Sequence, residues 1–90
     1  MNWKYKLNFK NFYHNDSISI VDKGKLIAKK IEKLPLDEIE MYCGEDFEDV
    51  IDAFKHIEGC EEVTPIEEFN HWMEELYNMC DRYRIWVVTQ

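Results

Sequence analysis

The chain begins with a strictly alternating segment. Over residues 3–10, apolar side chains alternate with basic or amide side chains: Trp3, Tyr5, Leu7 and Phe9 on one face, and Lys4, Lys6, Asn8 and Lys10 on the other. A period of two residues is typical of a β-strand with one buried face. We therefore predict a strand over residues 3–10, and the turn-forming residues 15–17 break this pattern.

Two long helices are predicted in the next part of the chain. Ser19 and Asp22 form a capping box that starts a helix over residues 20–33, and Pro35 ends it. Residues 36–43 add a short helical turn. A second long helix runs from Glu45 to about residue 57 and stops at Gly59. The apolar positions repeat every three or four residues: Ile20, Ile27, Ile31 and Leu34 in the first helix, and Phe47, Val50, Ile51, Phe54 and Ile57 in the second.

A third helix has the strongest start signal in the chain. Thr64 is a preferred N-cap residue, Pro65 suits the first helical position, and Glu67 completes a capping box. Residues 83–89 are aromatic and β-branched, which predicts a closing strand. The apolar stripe of the third helix comprises Ile66, Phe69, Met73, Leu76, Tyr77 and Cys80.

The predicted order of elements is β-α-α-α-β, which is an α+β fold with one domain over residues 1–90. The strands at the two ends of the chain pair in a small two-stranded sheet that packs against the helices. A long helical crossover permits either strand direction, so the sequence leaves the direction open. Each strand keeps a free edge, which also permits dimerisation into a wider sheet.

Length and composition narrow the class of function. Ninety residues, of which 46% are hydrophobic, suffice for one core but exclude a multidomain enzyme. The formal net charge of −8 argues against direct binding of double-stranded DNA. No apolar run approaches the roughly 18 residues that span a bilayer, and no signal peptide is recognisable. The odd number of cysteines favours reduced thiols and a cytoplasmic location.

The charge is segregated along the chain. Residues 1–33 contain eight lysines and three acids, whereas residues 34–81 contain sixteen acids and one lysine. Helical spacing turns eight carboxylates of the second and third helices outward, and we predict that they bind a basic partner: Glu45, Glu48, Asp49, Asp52, Glu67, Glu68, Glu74 and Glu75. The alternative is a solvated face that pairs with lysines of the first helix, namely Lys23, Lys29, Lys30 and Lys33.

Thiols and imidazoles form no recognisable chemical site. Cys43, Cys60 and Cys80 lack paired spacing, and they form no metal-binding motif with His56 or His71. We interpret the cysteines as small core or half-buried hydrophobic residues. The three glycines are isolated, so no phosphate-binding loop is present. We therefore expect no metal, no cofactor and no catalytic residue.

The outer face of the predicted sheet is a second candidate surface. If Leu7, Phe9, Ile85 and Val87 face the helices, the remaining strand residues face outward: Lys4, Lys6, Asn8, Lys10, Arg84, Trp86 and Val88. Basic and aromatic side chains mixed on a strand surface can hold phosphates and stack bases. The same face, above all Lys4, Lys6, Arg84 and Trp86, is equally suited to self-association.

The two ends of the chain contain three short motifs. They are Trp3, Tyr5 and Leu7, then His14, Asn15 and Asp16, and finally Arg84, Ile85, Trp86, Val87 and Thr89. With these motifs, the chain resembles a widespread class of small, functionally unassigned bacteriophage and prophage proteins. Tyr83 departs from the pattern, since its position often holds a second acid. The resemblance extends more weakly to the first helix and implies a phage or prophage origin. By analogy of size and charge, such proteins resemble inhibitors of host nucleic-acid machinery and of CRISPR effectors.

These observations favour a non-catalytic binding protein encoded by a phage or mobile element. It would inhibit a basic host or defence protein through its acidic helices. The first alternative is a structural or assembly protein that self-associates through its sheet edge or outer face. The second alternative is a small binder of single-stranded nucleic acid.

Overall fold

The computed structural model describes residues 2–39 and 45–90, and within these ranges four helices lie between two short strands. The α+β fold predicted from the sequence is confirmed. The short helical turn predicted after Pro35 is the second helix, although the end of that predicted segment, with Cys43, lies outside the described residues. In chain order the elements are β1 (Tyr5–Asn8), α1 (Ile20–Glu32), α2 (Leu36–Ile39), α3 (Glu45–Lys55), α4 (Pro65–Arg82) and β2 (Ile85–Val88).

The two strands pair with each other, and they run parallel. Tyr5 lies opposite Ile85 and Asn8 lies opposite Val88, so the ladder has four residue pairs. β1 is shorter than the predicted strand because the chain turns immediately after it. The Asn8 Oδ1 atom accepts a 3.0 Å hydrogen bond from the Lys10 N–H group, and the Phe9 carbonyl accepts a 2.9 Å bond from Tyr13 N–H.

β2 is also shorter than predicted, because Tyr83 and Arg84 form the connection from α4. The N–H group of Tyr83 donates a 3.0 Å hydrogen bond to the Met79 carbonyl and so closes the last turn of α4. Arg84 then adopts a φ of 60°, a left-handed conformation that is uncommon for residues other than glycine. This single residue turns the chain from the helix into the strand.

Both predicted helix caps are present. Ser19 Oγ accepts a 3.1 Å hydrogen bond from Asp22 N–H at the start of α1, and Thr64 Oγ1 accepts a 3.3 Å bond from Glu67 N–H at the start of α4. Gly59, where the second long helix was predicted to stop, has a φ of 75° that only glycine adopts readily. Local hydrogen bonds therefore fix the starts of α1 and α4, whereas α3 ends at Lys55, four residues before Gly59.

The core lies between the inner face of the sheet and the three longer helices, with α1 packed against α3. Its largest fully buried side chains come from every layer: Phe9, Phe47, Phe54, Leu7, Ile27, Ile31, Ile57, Leu76, Ile85 and Cys80. Three residues predicted on apolar faces are instead exposed, namely Trp3, Ile66 and Tyr77. Trp3 precedes the paired part of β1. Successive side chains of a helix point about 100° apart around its axis. Ile66 and Tyr77 therefore lie beside the buried stripe of α4 and remain exposed to solvent.

Candidate functional site

The acidic surface of α3 and α4 contains most of the carboxylates predicted to bind a partner. We use this name for the six that are exposed: Glu48, Asp49, Asp52, Glu67, Glu74 and Glu75. The side chain of Glu45, the seventh, lies outside the described part of the structure. Helices α3 and α4 contact each other. The six exposed carboxylates therefore come from two neighbouring helices.

Glu68 differs from the other predicted carboxylates. Its side chain is half-buried, and its Oε2 atom accepts a 3.0 Å hydrogen bond from the N–H group of Gly59. This bond connects α4 to the segment that follows α3. The prediction that Glu68 points away from the protein is therefore wrong, because this carboxylate satisfies a main-chain donor of its own chain.

A groove of about 240 Å³ separates α3 from α4, and we call it the acidic groove. Asp49 and Glu75 of the acidic surface line it from opposite helices. Asp46 adds a third carboxylate, and Trp72 contributes a half-buried aromatic ring. Asp46 and Trp72 were not predicted from the sequence, although Trp72 lies one helical turn from Glu75 and two from Met79. The full lining comprises Asp46, Asp49, Val50, Trp72, Glu75, Met79 and Arg82.

Few cations compensate the acidic surface. Lys55 is paired with Glu32 of α1, and an Arg82 nitrogen lies 3.8 Å from a carboxylate oxygen of Asp46. His56 lies 3.3 Å from an Asp52 oxygen, an ion pair only when the imidazole is protonated. Within the described residues, the other five carboxylates of the acidic surface have no ion pair: Glu48, Asp49, Glu67, Glu74 and Glu75.

The lysines of α1 do not neutralise these carboxylates. Lys23 is buried, with 8% of its surface exposed, whereas Lys29 and Lys33 are exposed and Lys30 is half-buried. In the two described ranges, no ion pair joins any of them to α3 or α4. The predicted pairing of these lysines with the carboxylates is thus not observed among the described residues. Lys55 of α3 pairs instead with Glu32 of α1.

The outer face of the sheet mixes charge with an aromatic ring. Lys4, Lys6, Arg84 and Trp86 are all exposed. The Lys6 Nζ atom lies 5.2 Å from the centroid of the Trp86 ring, which is within the range of a cation–π interaction. Lys6 and Trp86 are direct neighbours across the ladder, so the strand register produces this contact. Val88 was also predicted to face outward, but its side chain is half-buried and not fully exposed.

A second groove, of about 360 Å³, follows β2, and we call it the aromatic groove. Three exposed aromatic side chains line it: Trp3 (43% exposed), Tyr77 (42%) and Trp86 (47%). Among the described lining residues, Asp81 is the one that carries a charge. The remaining lining residues are Asn78, Cys80, Ile85 and Val87. No sequence motif indicates this groove, because its residues come from three separate segments.

The cysteines have different environments. Cys80 is buried in the core as predicted, and burial raises the pKa of its thiol from an ordinary 9.0 to about 12. Cys60 is exposed, so its prediction as a core or half-buried residue is wrong. It lies in the connection after α3, where its N–H group donates a 2.7 Å hydrogen bond to the Val63 carbonyl.

The described residues contain neither a metal-binding cluster nor a membrane-spanning helix. Among the residues described, no group of three or more His, Cys, Asp and Glu side chains is arranged to hold a metal ion. None of the helices in this part of the chain is long and apolar enough to cross a membrane.

Comparison with known proteins leaves the resemblance of the chain ends to phage proteins as an expectation. No family model, curated protein or solved structure matches this chain. The two grooves and the surfaces around them are the features of the protein that bear on its function.

Proposed function

We propose that the protein is a non-catalytic binding protein that engages a basic partner through the acidic surface of α3 and α4. The observation that carries this proposal is that five of its six exposed carboxylates form no ion pair within the part of the chain that the structure describes. Carboxylates that are not neutralised within the protein remain available to cations of another molecule. Their summed field attracts a positively charged surface over roughly a Debye length, about 10 Å at 0.1 M salt.

The acidic groove gives this surface a point of specific contact. Asp49 and Glu75 stand at its rim, while Trp72 and Met79 provide apolar lining. An arginine or lysine of a partner could place its aliphatic stem on these apolar side chains and its charge beside the carboxylates. Aromatic residues in partly desolvated pockets commonly dominate the binding energy of protein interfaces. Trp72 is therefore the expected centre of the contact.

Proteins that bind nucleic acid present the basic surfaces that such an acidic face fits. Their clefts are lined with lysine and arginine that neutralise phosphates. A rigid row of carboxylates can occupy such a cleft in place of nucleic acid. The resemblance of the chain ends to phage proteins supports a host or defence protein, for example a CRISPR effector, as the partner, and the bacterial cytoplasm as the place of action.

The pKa shifts of Tyr13 and Cys80 give no sign that either side chain is activated as a nucleophile. Burial raises the pKa of the Tyr13 phenol, with a smaller contribution from neighbouring Tyr77, and burial also raises the pKa of the Cys80 thiol. Both shifts make the nucleophilic, deprotonated form scarcer at neutral pH. A catalytic nucleophile requires the opposite shift.

The test uses two variants with the same net charge. The first neutralises four carboxylates of the acidic surface: Glu48→Gln, Asp49→Asn, Glu74→Gln and Glu75→Gln. The matched control neutralises four exposed carboxylates elsewhere: Asp16→Asn, Asp37→Asn, Glu38→Gln and Glu62→Gln. Both sets change the formal charge from −8 to −4. Glu68 is left unchanged in both because it bonds to Gly59.

Purified CRISPR effector complexes and other basic nucleic-acid-handling enzymes serve as probes, with association rates and enzyme inhibition measured at low and high salt. We expect the wild type and the control to associate rapidly and inhibit, and the acidic-surface variant to lose both. Added salt should slow association of the wild type. Equal effects of the two variants would show that overall charge, and not this surface, is responsible. Absence of binding to every probe would count against a nucleic-acid-handling partner.

Self-association is the second candidate function, because a sheet of two strands has an unpaired edge on each side. It would make the protein a structural or assembly component. Binding of single-stranded nucleic acid remains the third, supported by the contact of Lys6 with Trp86 on the outer face.

A further inference from the structure

The aromatic groove is open to solvent through its rings. Trp3, Tyr77 and Trp86 come from three separate segments, and each is between 42% and 47% exposed. Ile85 and Cys80 are each 1% exposed, so they close the groove on the side of the core. A volume of about 360 Å³ lies at the lower end of the range for small-molecule sites, roughly 300–1,000 Å³. The groove therefore has room for a small ligand, and its exposed rings are the surface that such a ligand meets.

The groove also attracts positive charge. Asp81 lines it, is exposed, and forms no ion pair within the described residues. Arg82 follows it in the sequence, but an Arg82 nitrogen lies 3.8 Å from Asp46 instead. Arg84 is exposed and lines a different groove, with Lys4. The C-terminal end of α4 and the faces of the aromatic rings both add partial negative charge to that of the carboxylate.

The contact of Lys6 with Trp86 shows that this ring already holds a cation. The Lys6 Nζ atom lies 5.2 Å from the ring centroid, although Lys6 does not belong to the described lining of the groove. Lys6 lies on the neighbouring strand β1, whereas Trp3 and Tyr77 line the groove together with Trp86. The charge of Lys6 opposes a second cation near Trp86. Removal of this lysine should therefore strengthen cation binding in the groove.

The lining favours an alkylated cation over a cation that donates hydrogen bonds. Besides the Tyr77 hydroxyl, the side chains that offer oxygen acceptors are Asp81 and Asn78. An ammonium or guanidinium group that leaves water needs acceptors for its N–H groups, and each donor left unpaired costs free energy. A quaternary ammonium group has no N–H group, and aromatic rings bind such a cation well. The lining is therefore suited to a quaternary ammonium ion.

We propose that the aromatic groove binds a small molecule that carries a quaternary ammonium group. The methylated nitrogen lies among Trp3, Tyr77 and Trp86, and Asp81 supplies the opposite charge. The acidic surface consists of other residues, so this inference does not depend on the proposed function. Either of the two can fail without the other.

Choline is the probe, and 3,3-dimethylbutan-1-ol is its matched control, because a carbon atom replaces the charged nitrogen while the shape stays the same. Asp81→Asn removes the opposite charge. Asp16→Asn makes the same change at an exposed residue outside the described lining of the groove. Trp86→Leu removes a ring, and Lys6→Gln removes the competing cation. Circular dichroism checks the folding of each variant, and if Trp86→Leu does not fold, Asp81→Asn decides.

The indole N–H signals in a proton–nitrogen NMR spectrum report where choline binds. The chain has three tryptophans, of which Trp3 and Trp86 line the aromatic groove. Trp72 is the internal reference, because it lies in the acidic groove, where it is the one ring in the described lining and Arg82 already supplies a cation. The titration extends to about 100 mM at constant ionic strength, since a ligand of so few atoms binds an open site weakly.

We expect choline to shift the signals of Trp3 and Trp86 at lower concentration than that of Trp72. Choline should bind about two- to fivefold more tightly than the neutral alcohol. Asp81→Asn should weaken binding by about threefold, Asp16→Asn should leave it unchanged, and Lys6→Gln should strengthen it. Trp86→Leu should abolish the shift of Trp3.

Three results would overturn the proposal: equal binding of the neutral alcohol, an equal response of Trp72, or no shift at about 100 mM choline. Equal weakening by Asp81→Asn and Asp16→Asn would also overturn it, since overall charge would then be responsible. Co-sedimentation of the protein with phosphatidylcholine vesicles, without binding of choline, would identify a lipid surface as the ligand and overturn the assignment to a small molecule.

Discussion

The carbonyl oxygen of Phe54 lies 2.6 Å from the position that a Cβ atom on Gly24 would occupy. The Cδ1 atom of Ile57 lies 2.9 Å from the same position. Helix α1 therefore approaches the last turn of α3 at main-chain distance, and only a residue without a side chain fits between them. The contact between Gly24 and Phe54 sets the distance between the two helices. The packing of the apolar side chains on their buried faces depends on this distance.

We expect Gly24→Ala to destabilise the protein by about 1–3 kcal/mol, the usual effect of overpacking. Intrinsic helix propensity alone would give the opposite sign, a gain of about 1 kcal/mol. Urea denaturation measures the difference. Lys25→Ala, at the exposed neighbouring position, is the control and should shift the free energy of unfolding by less than about 0.5 kcal/mol. A stabilised Gly24→Ala variant would contradict the close approach of α1 and α3.

Thr64→Ala should lower the free energy of unfolding by about 1 kcal/mol, because it removes the acceptor for the Glu67 N–H group. The control substitution Thr64→Ser keeps the hydroxyl group and should therefore keep most of the wild-type free energy of unfolding. Thermal or chemical denaturation of the two variants provides the comparison. An unchanged midpoint for Thr64→Ala would contradict a helix that begins at Pro65.

Glu68→Ala should destabilise the protein by about 1 kcal/mol, since it leaves the half-buried N–H group of Gly59 without its acceptor. Glu74→Ala removes an exposed carboxylate from the same helix and should have little effect on stability. Only Glu74→Ala should weaken partner binding, because Glu68 does not belong to the acidic surface. Equal stability of the two variants would argue against the bond between α4 and Gly59.

The two described cysteines should react at very different rates. Iodoacetamide should modify exposed Cys60 in the native protein, whereas buried Cys80 should react only after unfolding. Peptide mass spectrometry of partly labelled protein distinguishes the two sites. Rapid modification of Cys80 under native conditions would contradict its place in the core.

The raised pKa of Cys80 also predicts a loss of stability at alkaline pH. The folded state holds the thiol proton more tightly than the unfolded chain, in which the pKa is about 9.0. The contribution is fully present below pH 9.0 and is lost as the pH rises toward about 12, the folded value. Cys80→Ala should reduce this alkaline slope in the free energy of unfolding.

Local signals in the sequence were sufficient for the helix starts but not for the strand ends. Thr64, Pro65 and Glu67 identify the first residue of α4 because a cap depends on residues three positions apart. The alternation around β1 continues past Asn8, yet the ladder ends there because a turn begins. Strand direction could not be predicted, since it depends on how the helices pack between the strands.

For the candidate site, too, the features set by local sequence were predictable and those set by packing between elements were not. Exposure of Glu48 and Glu74 follows from helical periodicity, which the sequence displays. The acidic groove and the bond from Gly59 to Glu68 depend on the packing of α3 against α4 and on the path of their connection. No periodicity within one helix contains that information, and so Asp46 and Trp72 were missed.

The parallel pairing of β1 with β2 has a mechanical consequence. Tyr5 lies beside Ile85, so a force applied through the preceding residues of β1 and the following residues of β2 acts at opposite ends of the ladder. Such a force slides the strands along each other and loads all of their hydrogen bonds at once. An antiparallel hairpin pulled from its open end separates one bond at a time. Stretched between its ends, this chain should therefore resist unfolding until the whole ladder ruptures in a single event.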